Sequence, residues 1–201
     1  MLTVSTLRHV PNVLTVIRIL LTPVVLLLCA WPTAWAQSGA VVLFVLASLS
    51  DYYDGKLARE MEARSRLGQF LDPLADKILV LGVFGALALY EPTVVPVWAV
   101  LAIAARDVVV TGVRSWNEAQ GRTLRTFRIA KAKTLSQLAF LFGVLVLRAL
   151  RYVPSTADGA HWLLRESGIP YVLMLLVVAI TVGTGALYVF APSEETLPSQ
   201  S

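Results

Sequence analysis

Six apolar runs, each close to the length of one bilayer crossing, restrict what this chain can fold into more than any other feature. They cover approximately residues 13–31, 38–54, 69–90, 93–114, 133–150 and 169–191. A hydrocarbon core about 30 Å thick takes about 20 mostly apolar residues per helical crossing. Inside that core no water satisfies backbone N–H and C=O groups, so such runs must pair them internally as helices. Composition agrees: 57% of residues are hydrophobic and 15% charged, whereas soluble domains carry about 25% charged residues. The expectation is an all-α polytopic membrane protein with six transmembrane helices. Residues 1–191 would form a single transmembrane domain, and 192–201 a polar tail. Trp31-Pro32, Glu91-Pro92 and Tyr152-Val153-Pro154 end apolar runs where an interfacial aromatic belt is expected. The single cysteine, Cys29, rules out an intramolecular disulfide and reads as a packing residue.

Lysine and arginine set the orientation. With six spans both termini share a side, and that side collects Arg8, then Lys56, Arg59, Arg64 and Arg66, then Arg122, Arg125, Arg128, Lys131 and Lys133. Arg148, Arg151 and Arg165 fall opposite. The bias predicts a multi-pass protein of the cell (inner) membrane with both termini in the cytoplasm. The net charge of +4, distributed in this way, points to membrane lipids and phosphorylated substrates; no nucleic-acid partner is expected. Ala34-Trp35-Ala36 before Gln37 also fits a signal-peptide cleavage pattern. Arg18 would interrupt the apolar region of such a signal, so residues 1–36 are expected to be retained.

Four aspartates demand a chemical explanation. Asp51 and Asp54 are spaced i, i+3 at the end of the second span; Asp72 and Asp76 are spaced i, i+4 at the start of the third. On helices each pair shares a face, and consecutive antiparallel spans bring all four to one depth on the cytoplasmic side. Ionised carboxylates at a membrane edge repel one another and mark functional sites. Hard divalent cations relieve that repulsion, because Mg²⁺ and Mn²⁺ prefer oxygen ligands. Gly55 and Ala58 leave room beside the carboxylates, and Arg59 offers a forked donor suited to phosphate. The structural alternative is helix capping by the aspartates and close span packing at the small residues.

The full spacing, D-x2-D-G-x2-A-R-x8-G-x3-D-x3-D, occupies Asp51, Asp54, Gly55, Ala58, Arg59, Gly68, Asp72 and Asp76. It resembles the signature of the CDP-alcohol phosphatidyltransferases, as does the six-span plan. The resemblance implies transfer of a phosphatidyl group from CDP-diacylglycerol to an alcohol with release of CMP. By that resemblance two divalent cations, Mg²⁺ or Mn²⁺, sit on Asp51, Asp54 and Asp72, with Asp76 also touching one and serving as general base. Asn12, Thr15, Gly55, Ala58, Arg59, Ser65 and Gly68 would line the CDP-lipid pocket, and a homodimer is implied.

The signature does not choose the acceptor. Arg106-Asp107, Arg114 and Lys131-Ala-Lys133-Thr134 are similar to the R-E/D…L-R…K-x-K-T pattern of the members that use glycerol 3-phosphate, the phosphatidylglycerolphosphate synthases. Arg106, Arg114, Lys131 and Lys133 are therefore candidates for binding the acceptor phosphate. Arg106-Asp107 also resembles cardiolipin synthases, which take phosphatidylglycerol, and phosphatidylinositol-phosphate synthases are a further alternative. Asp107 and Arg114, seven apart on one helical stripe, equally permit a structural ion pair. Arg122, Arg125 and Arg128 read as topology or headgroup contacts, and His9 and His161 as isolated residues. The rival from another class is a divalent-cation transporter; the apolar stretches Val41–Ala47 and Ile78–Leu89 offer it no polar path.

Overall fold

The computed structural model describes residues 10–60, 66–120 and 129–190, with side chains described over 17–50, 77–117, 120 and 132–187. Those residues form seven helices: α1 (Val10–Ala30), α2 (Ala34–Glu60), α3 (Arg66–Tyr90), α4 (Val97–Ala119), α5 (Ile129–Leu150), α6 (Ala157–Arg165) and α7 (Ile169–Phe190). Among the described residues no strand occurs. The chain is all-α, as its apolar runs require.

Each long apolar run becomes a helix, with informative differences at the ends. α4 begins at Val97 rather than 93, because Glu91 to Val95 form a turn in which the Val94 and Val95 N–H groups donate to Glu91 O. The Pro96 carbonyl then accepts from the N–H groups of both Ala99 and Val100. α1 runs through Pro23, with Thr22 Oγ1 donating back to Arg18 O at 2.9 Å. Helix α6, between the fifth and sixth apolar runs, is short and amphipathic. It buries Ala160 and Leu164 and leaves Trp162 exposed. It stops at Arg165, and Gly168, with φ of 69°, takes the left-handed conformation in the short link to α7.

Two stretches, Ala132–Leu150 and Ile169–Leu187, are long and apolar enough to cross a membrane, among the described residues. Ile17–Ala30, Ala34–Ser50 and Lys77–Tyr90 are apolar but shorter. The expectation of six full spans is thus met in part. In α4 the charged residues Arg106, Asp107 and Arg114 interrupt the apolar run.

The outer surface is more apolar than that of a soluble bundle. Leu20, Leu27, Leu101, Val108 and Leu135 point outward, while Arg18, Gln37, Glu91, Asp107 and Arg148 are buried. A continuous apolar exterior is what a lipid environment tolerates and water does not. Inside, Leu79, Leu87, Ile103 and Leu141 are fully buried, and Phe84 stacks on Phe140 with ring centroids 6.0 Å apart.

α1 packs against both α2 and α3, α2 against α5, and α4 and α5 against α7. The sequence reading placed α2 and α3 side by side as consecutive neighbours. Among the described residues α1 packs against each of them, and direct contact between α2 and α3 is at most slight.

Polar ties fix the register. Arg18 Nε donates to Ala47 O at 3.3 Å, and Gln37 Nε2 donates to the carbonyls of Leu28, Cys29 and Trp31. α1 and α2 are therefore antiparallel. Gly82 sits beside Thr22 and Leu26. Arg148 donates to Cys29 O and lies 5.3 Å from the centroid of the Tyr90 ring. α3 thus runs parallel to α1. The C-terminal end of α2 and the N-terminal end of α3 share one end of the bundle.

That register carries the aspartates with it. At 1.5 Å per residue, Asp51 and Asp54 lie roughly 6 and 10 Å beyond Ala47 along α2. Asp76 and Asp72 lie roughly 9 and 15 Å before Gly82 along α3. Referred to α1, Asp51 and Asp72 come to nearly the same depth, with Asp54 and Asp76 about one turn to either side.

The opposite end is clasped by charge. Glu91 is 1% exposed; its Oε2 accepts from Arg165 Nε and Nη2 at 3.2 and 3.0 Å. Arg151 Nη1 stands 3.1 Å from Glu91 Oε1, close enough for strong attraction but not aligned as a hydrogen bond. Arg148 donates to Gln37 Oε1 at 3.2 Å and to Cys29 O at 2.9 Å, capping the last carbonyls of α1.

Candidate active site

At the aspartate end, the positions of the signature divide between two helices. Asp51, Asp54, Gly55, Ala58 and Arg59 occupy the last turns of α2, and Gly68, Asp72 and Asp76 the first turns of α3. Asn12 and Thr15 lie in the first turns of α1, at the same end. The side chains at these positions are outside the described set, as are Ser65, His9, Arg122, Arg125 and Arg128. Lys131 is in the first turn of α5, which starts at Ile129, before both lysines of the K-x-K-T stretch.

Beside this end, α3, α4, α5 and α7 share a polar cluster whose side chains are described. Its centre is Asp107, which is 7% exposed. Lys133 Nζ donates to both Asp107 oxygens, at 2.6 and 2.9 Å. Arg106 Nη1 donates to Asp107 Oδ1 at 3.1 Å. The rest of the Arg106 fork turns into α7: Nε donates to Thr181 O at 3.0 Å, and Nη2 to Thr184 Oγ1 at 3.2 Å. Gln137 of α5 donates to Thr181 Oγ1 at 3.1 Å. Thr111 Oγ1 donates to Asp107 O at 2.7 Å and accepts from Lys77 Nζ at 2.6 Å. Lys77 follows Asp76 directly in α3. The Asp107 cluster therefore lies about one helical turn deeper than the level of Asp76.

This geometry sorts the four cations proposed from sequence. Arg106 and Lys133 are brought together on one carboxylate. Arg114 follows two turns later on α4 and is exposed, and it has an interaction of its own. The pairing of Asp107 with Arg114 that the sequence offered gives way, among the described side chains, to Lys133 and Arg106. The sequence reading missed Thr111, Gln137, Thr181, Thr184 and Gly185. The available signal was polar spacing in apolar helices: Thr181 and Thr184 at i, i+3 share a face of α7. Gly185 is the complement of Arg106, because a Cβ there would lie 2.6 Å from Arg106 Cγ.

The amino-acid pattern of the CDP-alcohol phosphatidyltransferases matches residues 8–187. The chain belongs to this family. Among curated proteins of similar sequence is a CDP-diacylglycerol–glycerol-3-phosphate 3-phosphatidyltransferase of Pseudomonas fluorescens. It is 37% identical over 139 residues, covering 66% of this chain and 70% of the relative. A protein of the same name from Yersinia pestis is 33% identical over 142 residues, 68% of this chain and 76% of the relative. Another, from Cereibacter sphaeroides, is 32% identical over 158 residues, 76% of this chain and 71% of the relative.

CDP-alcohol phosphatidyltransferases are enzymes that generally depend on divalent cations, and the apolar exterior makes this member a membrane protein. The residue types fit such a cofactor. The four aspartates lie at one end of α2 and α3, and carboxylate oxygens are the ligand type that hard cations prefer. Among the described side chains no group of three His, Cys, Asp or Glu comes together.

Proposed function

We propose that this enzyme transfers the phosphatidyl group of CDP-diacylglycerol to sn-glycerol 3-phosphate, giving phosphatidylglycerol phosphate and CMP. The observation that carries the acceptor choice is the buried Lys133–Asp107–Arg106 cluster, about one turn deeper than the level of Asp76. Two cations around one carboxylate leave a local surplus of positive charge, which suits a phosphate dianion and not a neutral polyol. The names of the relatives, which span two thirds of the chain, agree with that choice.

In this reading six helices cross the cell (inner) membrane, with both termini and the aspartates in the cytoplasm. The support is the lysine and arginine asymmetry of the loops. The lipid donor enters from the inner leaflet. Asn12, Thr15, Gly55, Ala58, Arg59, Ser65 and Gly68 line its CDP head. Asp51, Asp54, Asp72 and Asp76 hold two divalent cations, Mg²⁺ or Mn²⁺. When bound, these cations supply charge neutralisation at the diphosphate oxygens.

Asp76 accepts the proton of the acceptor's 1-hydroxyl. That oxygen forms a bond to the phosphorus carrying diacylglycerol, and the bond from that phosphorus to the CMP oxygen breaks. Lys131, Lys133 and Arg114 hold the acceptor phosphate, with Arg106 supporting Lys133 through Asp107. The enzyme works as a homodimer, by resemblance to its family.

The test is CMP release by purified protein given CDP-diacylglycerol and Mg²⁺ with one acceptor at a time: glycerol 3-phosphate, phosphatidylglycerol, inositol phosphate or serine. Release with glycerol 3-phosphate is the expected result. Release with phosphatidylglycerol alone overturns the acceptor, and release with none overturns the enzyme reading.

A further inference from the structure

We infer that Asp107 is a positioning residue for the acceptor, holding the phosphate-binding cations at a fixed distance from the end of α3 that carries Asp76. The inference rests on the glycerol 3-phosphate reading and assigns a task to a residue which that reading leaves idle.

Asp107 joins four helices through one residue. Its carboxylate takes Lys133 of α5 on both oxygens, at 2.6 and 2.9 Å. It also takes Arg106, whose other donors anchor on Thr181 O and Thr184 Oγ1 of α7. Its carbonyl takes the Thr111 hydroxyl, which in turn accepts from Lys77 of α3. Lys77 is covalently next to Asp76. The position of Lys133 is thus referred, through Asp107 and Thr111, to the helix that presents the base.

Charge explains why an acid is needed. A lysine and an arginine this close repel each other, and a long lysine stem without a partner samples many rotamers. One carboxylate between them cancels the repulsion and fixes the lysine. An ionised carboxylate has about four acceptor positions, and three contacts are in use here. The surplus positive charge remains for the substrate. A purely structural ion pair would hold the helices together without regard to which substrate is bound. A competitor for Lys133 would weaken acceptor binding and strengthen it when removed. Positioning predicts the opposite sign.

The experiment is steady-state kinetics of the full-length enzyme and Asp107→Asn, varying glycerol 3-phosphate and CDP-diacylglycerol separately. Losing one charge-assisted contact on the acceptor side is expected to raise KM for glycerol 3-phosphate about tenfold, with KM for CDP-diacylglycerol within twofold of wild type. Asp107→Glu, which keeps the charge but moves it by one methylene, is expected to recover part of the loss. An unchanged or lowered KM for glycerol 3-phosphate in Asp107→Asn overturns the inference, as does an equal rise for both substrates. If Asp107→Asn fails to fold, Asp107→Glu carries the test alone: a selective rise supports positioning and no rise overturns it. Wild-type turnover with glycerol 3-phosphate is the control. Its absence removes the parent reading, whereas its presence with an unaltered KM in the variants removes only this inference.

Discussion

Gly185 of α7 gives its Cβ space to the stem of Arg106: a methyl group there would lie 2.6 Å from Arg106 Cγ and 2.9 Å from Nε. The absence of a side chain at one position is therefore what allows the Arg106 fork to reach Thr181 and Thr184. Replacing Gly185 by Ala should force the Arg106 stem aside and break those bonds. Overpacking of this kind costs about 1–3 kcal/mol, and the better helix propensity of alanine returns at most about 1. A lower unfolding temperature in detergent is the expected outcome. An unchanged or raised one would mean that Arg106 moves without loss.

At the far end of the bundle, Glu91→Gln should destabilise the protein without touching chemistry. The carboxylate is 1% exposed and faces Arg151 and Arg165. Removing its charge leaves buried or half-buried cations uncompensated, which costs about 3–5 kcal/mol when both partners are buried. Arg165 is 45% exposed, so the lower end of that range is expected. Thermal unfolding measures the loss, and kcat per folded molecule should stay at the wild-type value.

The long helices were legible in sequence because lipid demands long unbroken apolar runs, so α1, α2, α3, α4, α5 and α7 all lie where hydropathy puts them. Helix α6 was not, since nine residues provide too few turns for a helical period to stand out. The signature aspartates were legible because their spacing is local, i, i+3 and i, i+4. The surroundings of Asp107 were not. Lys133 is 26 residues away and Thr181 meets Arg106 across 75, and no period in one helix encodes which residue of another it meets. The same holds for the packing of α1 against both α2 and α3 among the described residues.

Chelation separates the aspartate site from the rest of the fold. EDTA should abolish CMP release, and added Mg²⁺ or Mn²⁺ should restore it, because four carboxylate positions at one end of α2 and α3 need a cation to approach the diphosphate. Activity that survives exhaustive chelation would contradict the assignment. Asp76→Asn should lower kcat by about 10²–10⁴-fold, the usual contribution of a positioned general base. CDP-diacylglycerol binding, read by equilibrium titration, should persist. Unchanged turnover would remove Asp76 from its role.

The central claim is that the phosphatidyl group ends on glycerol 3-phosphate. The direct measurement supplies the purified enzyme with radiolabelled glycerol 3-phosphate, CDP-diacylglycerol and Mg²⁺, and counts label extracted into organic solvent against CMP formed. Label should enter the lipid phase only when CDP-diacylglycerol is present, one mole per mole of CMP. CMP formed without labelled lipid would contradict the account.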